Sequence, residues 1–343
     1  MLQRLLLVWL LLISALAYVL PQHRPGDALQ TGGRGPAAVN PFVRATDEGA
    51  SMQPRVPLGR LVMVTMFAVG ALLTREELSG VIRGWPTVLF GTAVQYTAMP
   101  GLAYLLATLM QLPRDQFIGV VIVGCVPGAM ASNVLTLMAR GNVSYSVSLT
   151  TMATLISPLV VPVGLLVTLR TQATVDTSAI ARQLLLEVVG PVILGHLAVR
   201  SAGPASQVIR RLAGPTANLA ILWIIATVVA LNRDRLQHVE ETTVGVLLLL
   251  NVLGYAAGYL AGAAVRMSEP MCRALTIEIG MQNAGLGTSL ALSLFPDTPT
   301  AAIPTAAYTF GCMLTGTMLA QWFSRRDAPL AAAAVAPPHG GVE

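Results

Sequence analysis

The chain contains no lysine; all 21 of its basic residues are arginine. Charged residues of both signs amount to only 11% of its 343 positions. Soluble domains average about a quarter charged residues, so the shortage excludes an ordinary soluble enzyme. Cysteine is scarce too. Cys125, Cys272 and Cys312 lie far apart, with no C-x-x-C pair and no histidine at metal-ligand spacing. They read as small apolar packing residues. Catalytic signatures are also missing: there is no H-E-x-x-H, no G-x-S-x-G and no intramembrane aspartate pair. His23, His238 and His339 fall in connections or the tail. The protein is therefore expected not to be an enzyme.

What the chain has instead is apolar content, 54% of all residues. That composition places it among integral membrane proteins. The formal net charge of +5 is no sign of nucleic-acid binding, because the arginines sit mostly between apolar stretches, where they set membrane orientation.

Ten stretches have membrane length: 2–20, 57–74, 86–110, 117–139, 143–170, 181–199, 214–231, 242–265, 271–295 and 300–323. With a cytoplasmic N-terminus, the inside holds Arg4, 75, 83, 140, 200, 210, 211, 266, 273, 325 and 326. The short outside connections hold Arg114, 170, 182, 233 and 235. Eleven against five favours both termini inside. Counting the long 21–60 connection, with Arg24, 34, 44, 55 and 60, would make the balance eleven to ten.

Ten spans divide as five plus five, and an odd number per half inverts the second half. The expected fold is an all-α polytopic membrane protein built from two inverted five-helix repeats. Its parts are a first helix over 1–20, a flexible extramembrane loop over 21–56, the rest of the first repeat over 57–170, the second repeat over 171–323 and a disordered cytoplasmic tail over 324–343. The first part has two readings. Arg4, the run Leu5–Leu12 and Ala15-Leu16-Ala17 fit a cleaved signal peptide, whereas the symmetry needs a retained span.

Two apolar stretches are interrupted in corresponding places. The fourth reads Gly124-Cys125-Val126-Pro127-Gly128-Ala129-Met130-Ala131-Ser132-Asn133, and the ninth Glu278-Ile279-Gly280-Met281-Gln282-Asn283-Ala284-Gly285-Leu286-Gly287. A broken helix frees N–H and C=O groups that lipid cannot satisfy, so it survives only buried in protein or lining a cavity. Paired breaks point to a secondary transporter's binding site.

Glu278 is the sharpest single residue, because a carboxylate in mid-span costs about 3 kcal/mol on insertion scales. It either faces cations or carries a proton. Ser146 and Thr150, four apart, share a helix face; alone they would read as hydroxyls bonded to their own helix carbonyls. Glu187 and His196 sit nearer the ends of the sixth stretch and read as interfacial. Gly254, Gly258 and Gly262 form a close-packing face, more readily inside the protein than at a dimer seam.

Several ordered pieces between Val64 and Phe323 resemble the bile acid:sodium symporter family. They are Met66-Phe67-Ala68-Val69-Gly70, Gln95-Tyr96-Thr97-Ala98-Met99-Pro100, Pro127-Gly128 through Ser132-Asn133, Ser146-Val147-Ser148-Leu149-Thr150 and Glu278 through Asn283. The resemblance implies a panel domain and a core domain, with discontinuous helices 4 and 9 crossing in the core. It implies a symporter in which two Na+ ions drive import of a small organic anion by alternating access. Its first sodium site would use Ser132, Asn133, Ser146, Thr150 and Glu278. Its second would use Gln95, Glu278 and Gln282 with backbone carbonyls at Ile279 and Met281. Gly128, Ala129, Asn133, Asn283 and Thr305 are expected near the substrate, where half-helix N-termini favour an anion. A proton-coupled organic anion carrier of the related auxin-efflux type is the alternative. The expected setting is a bacterial inner membrane, as a monomer or weak dimer surrounded by lipid, with no nucleic-acid partner. Two departures stand out: the 21–56 insertion is long for the family, and Ala129 replaces a glycine that many members carry.

Overall fold

The computed structural model describes residues 6–20, 40–45, 52–170, 172–231 and 241–326. The protein is an all-α membrane protein. Its helices are α1 (Leu6–Val19), α2 (Leu58–Leu72), α3 (Arg75–Arg83), α4 (Trp85–Leu109), α5 (Arg114–Cys125), α6 (Ala131–Met138) and α7 (Val143–Leu169). They continue with α8 (Thr177–Ser201), α9 (Ser206–Leu231), α10 (Glu241–Ala264), α11 (Glu269–Gly280), α12 (Ala284–Leu294) and α13 (Ala302–Arg326). Among the described residues, α7, α8, α9 and α10 are each long and apolar enough to cross a membrane alone.

Local chemistry explains the boundaries. Thr74 and Glu77 form a reciprocal capping box at α3, and Asn142 caps α7 by accepting from Tyr145 N. The chain bends by 84° between α2 and α3. The carbonyls exposed there are met by the Arg210 guanidinium, at 3.1 Å from Leu72 O, and by His196 Nδ1, at 3.3 Å from Leu73 O. Helix α8 contains a π-helical turn over Leu185–Val189. It places the half-buried Glu187 against the first turn of α2, beside Gly59. Pro215 lies inside α9.

Helices α1, α2, α8 and α9 pack side by side. Glycine makes the α2–α8 crossing close: a Cβ at Gly70 would collide with the Val192 backbone, and one at Gly195 with that of Phe67. The remaining helices surround the two breaks, which fall between α5 and α6 and between α11 and α12. The small-residue face of α10 is used within the chain. Gly258 lies on the Leu275 and Thr276 backbone of α11, and Gly262 lies on Cys272.

The 21–56 stretch holds regular structure that its composition does not suggest. Val43–Ala45 pairs antiparallel with Met52–Pro54. Phe42 stacks edge-on against Trp223 of α9, with ring centroids 5.0 Å apart. Phe42, Val43 and Ala17 of α1 share a small apolar cluster with Ala226 and Ala230. The reason is that Phe42 and Val43 supply a local apolar anchor within an otherwise polar, Pro- and Gly-rich segment. Residues 21–39 and 46–51 of that stretch, and residues 327–343 of the expected tail, lie outside the described residues.

Candidate functional site

The two breaks pair with each other. Gly128 and Gln282 form an antiparallel bridge. Ala129 N donates to Met281 O and Asn283 N donates to Pro127 O, each at 2.8 Å. Backbone groups released by one broken helix are thus satisfied by the other, as burial requires. Asn283 lies opposite Pro127, and its side chain caps α12 by accepting from Leu286 N at 3.2 Å.

Glu278 ends up fully buried, at 0% exposure, three residues before the second break. Its Oε2 accepts from Ser132 Oγ at 2.6 Å and from Ser146 Oγ at 3.2 Å; its Oε1 accepts from Thr150 Oγ1 at 2.6 Å. Ser146 Oγ also lies 2.9 Å from Asn133 Oδ1 and accepts from Thr136 Oγ1 at 3.3 Å. The five residues of the expected first ion site therefore form one cluster, drawn from α6, α7 and α11. Thr150 Oγ1 additionally touches Ser146 O at 3.1 Å, so the helix back-bond and the cross-helix bond coexist. Arg273, the nearest base in sequence, is committed to Glu269 at 3.0 Å, to Ala139 O and to the Phe323 ring.

The expected second group lies beside the first. Gly128 is what lets the Glu278 carboxylate come in, since a Cβ there would collide with Oε1 and stand 3.5 Å from Gln95 Nε2. Gln282 Nε2 donates to Ile279 O at 2.8 Å. Two buried amide atoms, Gln95 Nε2 and Gln282 Oε1, have no hydrogen-bond partner among the described residues. Leaving such a group unmet costs about 1–3 kcal/mol, so each needs an explanation. A small cation would satisfy Gln282 Oε1 directly. It would satisfy Gln95 once the amide is turned over, an orientation that heavy-atom positions alone do not fix. Among the described residues no group of three or more His, Cys, Asp or Glu comes together. One carboxylate among hydroxyl, amide and carbonyl oxygens suits a hard, singly charged cation.

A small open cleft adjoins this nest. Val69 of α2, Leu73 just beyond it and Val192 of α8 line one wall; Met130, Asn133, Val147, Thr150, Thr151 and Thr154 line the other. Of the five residues expected near substrate, only Asn133 lines it. Gly128 and Ala129 are held in the bridge, and Asn283 is the α12 cap. Thr305 is buried, 2.8 Å from Thr288 Oγ1 and donating to Ala302 O. Thr151 and Thr154 are cleft residues that the sequence motifs do not mark. Their only signal is spacing, one and four residues beyond Thr150 on the same helix.

Residues 60–239 match the sequence model described as the Sodium Bile acid symporter family. A Bacillus subtilis protein named as an uncharacterized sodium-dependent transporter is 35% identical over 265 residues, covering 77% of this chain and 81% of that protein. An Arabidopsis thaliana chloroplast protein named a "probable sodium/metabolite cotransporter" is 30% identical over 267 residues, covering 78% of this chain and 66% of its own length. The human ileal sodium/bile acid cotransporter is 27% identical over 244 residues, covering 69% of each chain.

Proposed function

Because this chain belongs to the sodium bile acid symporter family, we propose that it is a sodium-coupled secondary transporter importing a small organic anion by alternating access. It is a multi-pass membrane protein and a transporter, not an enzyme. The observation that carries the proposal is the Glu278 cluster, a fully buried carboxylate meeting hydroxyls from both α6 and α7.

In this reading two sodium ions bind. Ser132, Asn133, Ser146, Thr150 and Glu278 hold the first; Gln95, Glu278, Gln282 and the Ile279 and Met281 carbonyls hold the second. Support for the second comes from the two unpartnered amide atoms. The anion binds in the cleft beside Asn133 and Thr150. Helix α6 starts there at Ala131, preceded by Met130 with no side-chain cap, which leaves a partial positive charge toward the cleft. The relatives' names mention both a bile acid and a metabolite, so the cargo is proposed as a class only.

The architecture we infer is ten spans in two inverted five-helix repeats. The antiparallel symmetry of the Gly128–Gln282 pairing supports it. A panel of α1, α2, α8 and α9 rocks against a core that carries the breaks, and the cleft lies between the two groups. Both termini are cytoplasmic, and the setting is a bacterial inner membrane. Two sodium ions with one monoanion carry one net positive charge inward, worth about 2.3 kcal/mol per 100 mV. Outward current under an inward sodium gradient would contradict this stoichiometry.

The test needs no identified cargo. Thermal unfolding of purified protein is followed in sodium, potassium and choline chloride at equal ionic strength, beside Glu278→Gln. A ligand at 100 times its Kd stabilises by about 2.7 kcal/mol. Sodium-specific stabilisation, lost in the variant, is the expected result. Equal stability in all three salts, with a pH dependence that disappears in Glu278→Gln, would instead favour the proton-coupled carrier of the auxin-efflux type.

A further inference from the structure

The freed backbone at the second break can be accounted for group by group. Helix α11 ends at Gly280, and Met281 is extended at φ −104° and ψ 92°. Met281 N donates back to Ile277 O at 3.0 Å and to Glu278 O at 3.3 Å. Ile279 O accepts from the Gln282 side chain, and Met281 O from Ala129 N. Gly280 O is met from outside the crossing altogether. Asn251 Nδ2 of α10 and Tyr308 Oη of α13 each donate to it at 2.8 Å. Both side chains are 1% exposed. Thr315 Oγ1 donates to Asn251 Oδ1 at 2.5 Å, which fixes the amide's orientation. Gly254 allows the approach, since α10 comes so near that a Cβ there would stand 3.4 Å from Gly280 Cα.

We infer that Asn251 and Tyr308 are positioning residues that clamp the Gly280–Met281 peptide and thereby aim the carbonyls of the second sodium site. The inference rests on the sodium-site reading proposed for this chain. The physical case has two parts. First, the peptide is held at both ends, its N–H by α11 and its carbonyl by two side chains from separate helices. Two neutral donors occupy both lone pairs of one carbonyl, so that oxygen is unavailable to an ion. Second, Met281 is extended, and the carbonyls on either side of an extended residue point apart. Fixing Gly280 O toward α10 and α13 therefore sends Met281 O the opposite way, to the first break, where Ala129 meets it. The side chains of Asn251 and Tyr308 bond Gly280 O, each other and Thr315, so they act on the ion site through the backbone.

The experiment titrates sodium chloride against choline chloride at constant ionic strength, reading thermal unfolding of full-length protein in detergent. The variants are Tyr308→Phe, Asn251→Leu and the milder Thr315→Val. Tyr96→Phe is the control, because it also removes a tyrosine hydroxyl from a backbone carbonyl, that of Ala153. The clamp predicts that sodium half-saturation rises about tenfold in Tyr308→Phe and in Asn251→Leu, the cost of one lost buried hydrogen bond. Thr315→Val should raise it about threefold, and Tyr96→Phe should not move it. If the clamp variants lower the unfolding temperature equally in sodium and in choline, with half-saturation unchanged, the residues are merely structural and the inference is overturned. Should either of the stronger variants not fold, Thr315→Val decides in the same way. If the wild type itself shows no sodium-specific stabilisation, the sodium reading fails, and the clamp falls with it; that result is recognised without any variant.

Discussion

The two breaks are partners in one antiparallel pairing, yet they are built differently. The second is anchored on every side. Asn283 caps the helix that follows it, Asn251 and Tyr308 hold its Gly280 carbonyl, and it follows the one buried carboxylate of the site. The first is lightly tied. Its following helix has no side-chain cap, and its polar side chains, Ser132 and Asn133, reach toward Glu278 and Ser146. The contrast teaches a division of labour. We propose that the second break serves as a fixed frame and the first as the movable half that a bound cation would draw onto it. Cleft-lining Met130 and Asn133 belong to that movable half, so ion binding and anion binding would be coupled through it.

The largest expected effect removes the charge that joins the halves. Glu278→Gln keeps the shape of the side chain and should abolish sodium-dependent uptake, with a fall of at least about 100-fold, equivalent to ~2.7 kcal/mol. Uptake in proteoliposomes at equal reconstitution checks this, and full activity would remove the proposed sites. Next comes a comparison of the two asparagines. Asn133→Ala strips the movable half and should lower uptake about 30-fold with little change in resting stability. Asn283→Ala removes a helix cap from the frame. It should cost about 1 kcal/mol of stability and shift sodium half-saturation by less than about threefold. Reversed behaviour of the pair would break the frame-and-mover distinction.

Much of this is legible in the sequence alone. Apolar runs separated by arginine, proline and glycine mark the helices, because lipid leaves backbone few alternatives. The two interrupted runs mark the breaks for the same reason. The residues around Glu278 are named by family resemblance, and their local signals are weak; Ser146 and Thr150 alone would read as ordinary helix back-bonds. Pairing register is not legible. Nothing in the local sequence says that Gly128 meets Gln282. The clamp is hidden for a related reason. Asn251, Gly280 and Tyr308 are far apart in the chain, and a lone amide in the run Leu247–Leu253 resembles common interhelical glue. The ordered pair at 43–45 and 52–54 is hidden by composition, since Phe42 and Val43 are a small apolar anchor in a stretch rich in Pro, Gly and Arg.

Glycine offers a subtler cut through the same comparison. A Cβ at Gly128 would strike the Glu278 carboxylate, the free end of a side chain, whereas one at Gly280 would strike the ring of Tyr255. Gly128→Ala should therefore lower uptake about tenfold by displacing the carboxylate, with a stability loss below about 1 kcal/mol. Gly280→Ala overpacks the frame and should cost about 1–3 kcal/mol. Thermal unfolding and uptake measured on both variants would separate the two outcomes.

The smallest effect probes one hydroxyl behind the nest. Thr136 Oγ1 donates to Ser146 Oγ at 3.3 Å, a long bond. Ser146 in turn bonds both Asn133 and Glu278. Thr136→Val keeps the volume and deletes only that donor, so Ser146 loses an orienting contact and keeps its cross-break bonds. A shift in sodium half-saturation of about threefold, with unchanged maximal uptake, is the expectation for a weak neutral hydrogen bond. The direction of the change matters more than its size. If the movable half is held loosely, weakening its support should show first in ion affinity and leave the anchored frame's stability alone. A variant that unfolds earlier in choline and sodium alike, at the same half-saturation, would place Thr136 in the frame and move the boundary between the halves into α6.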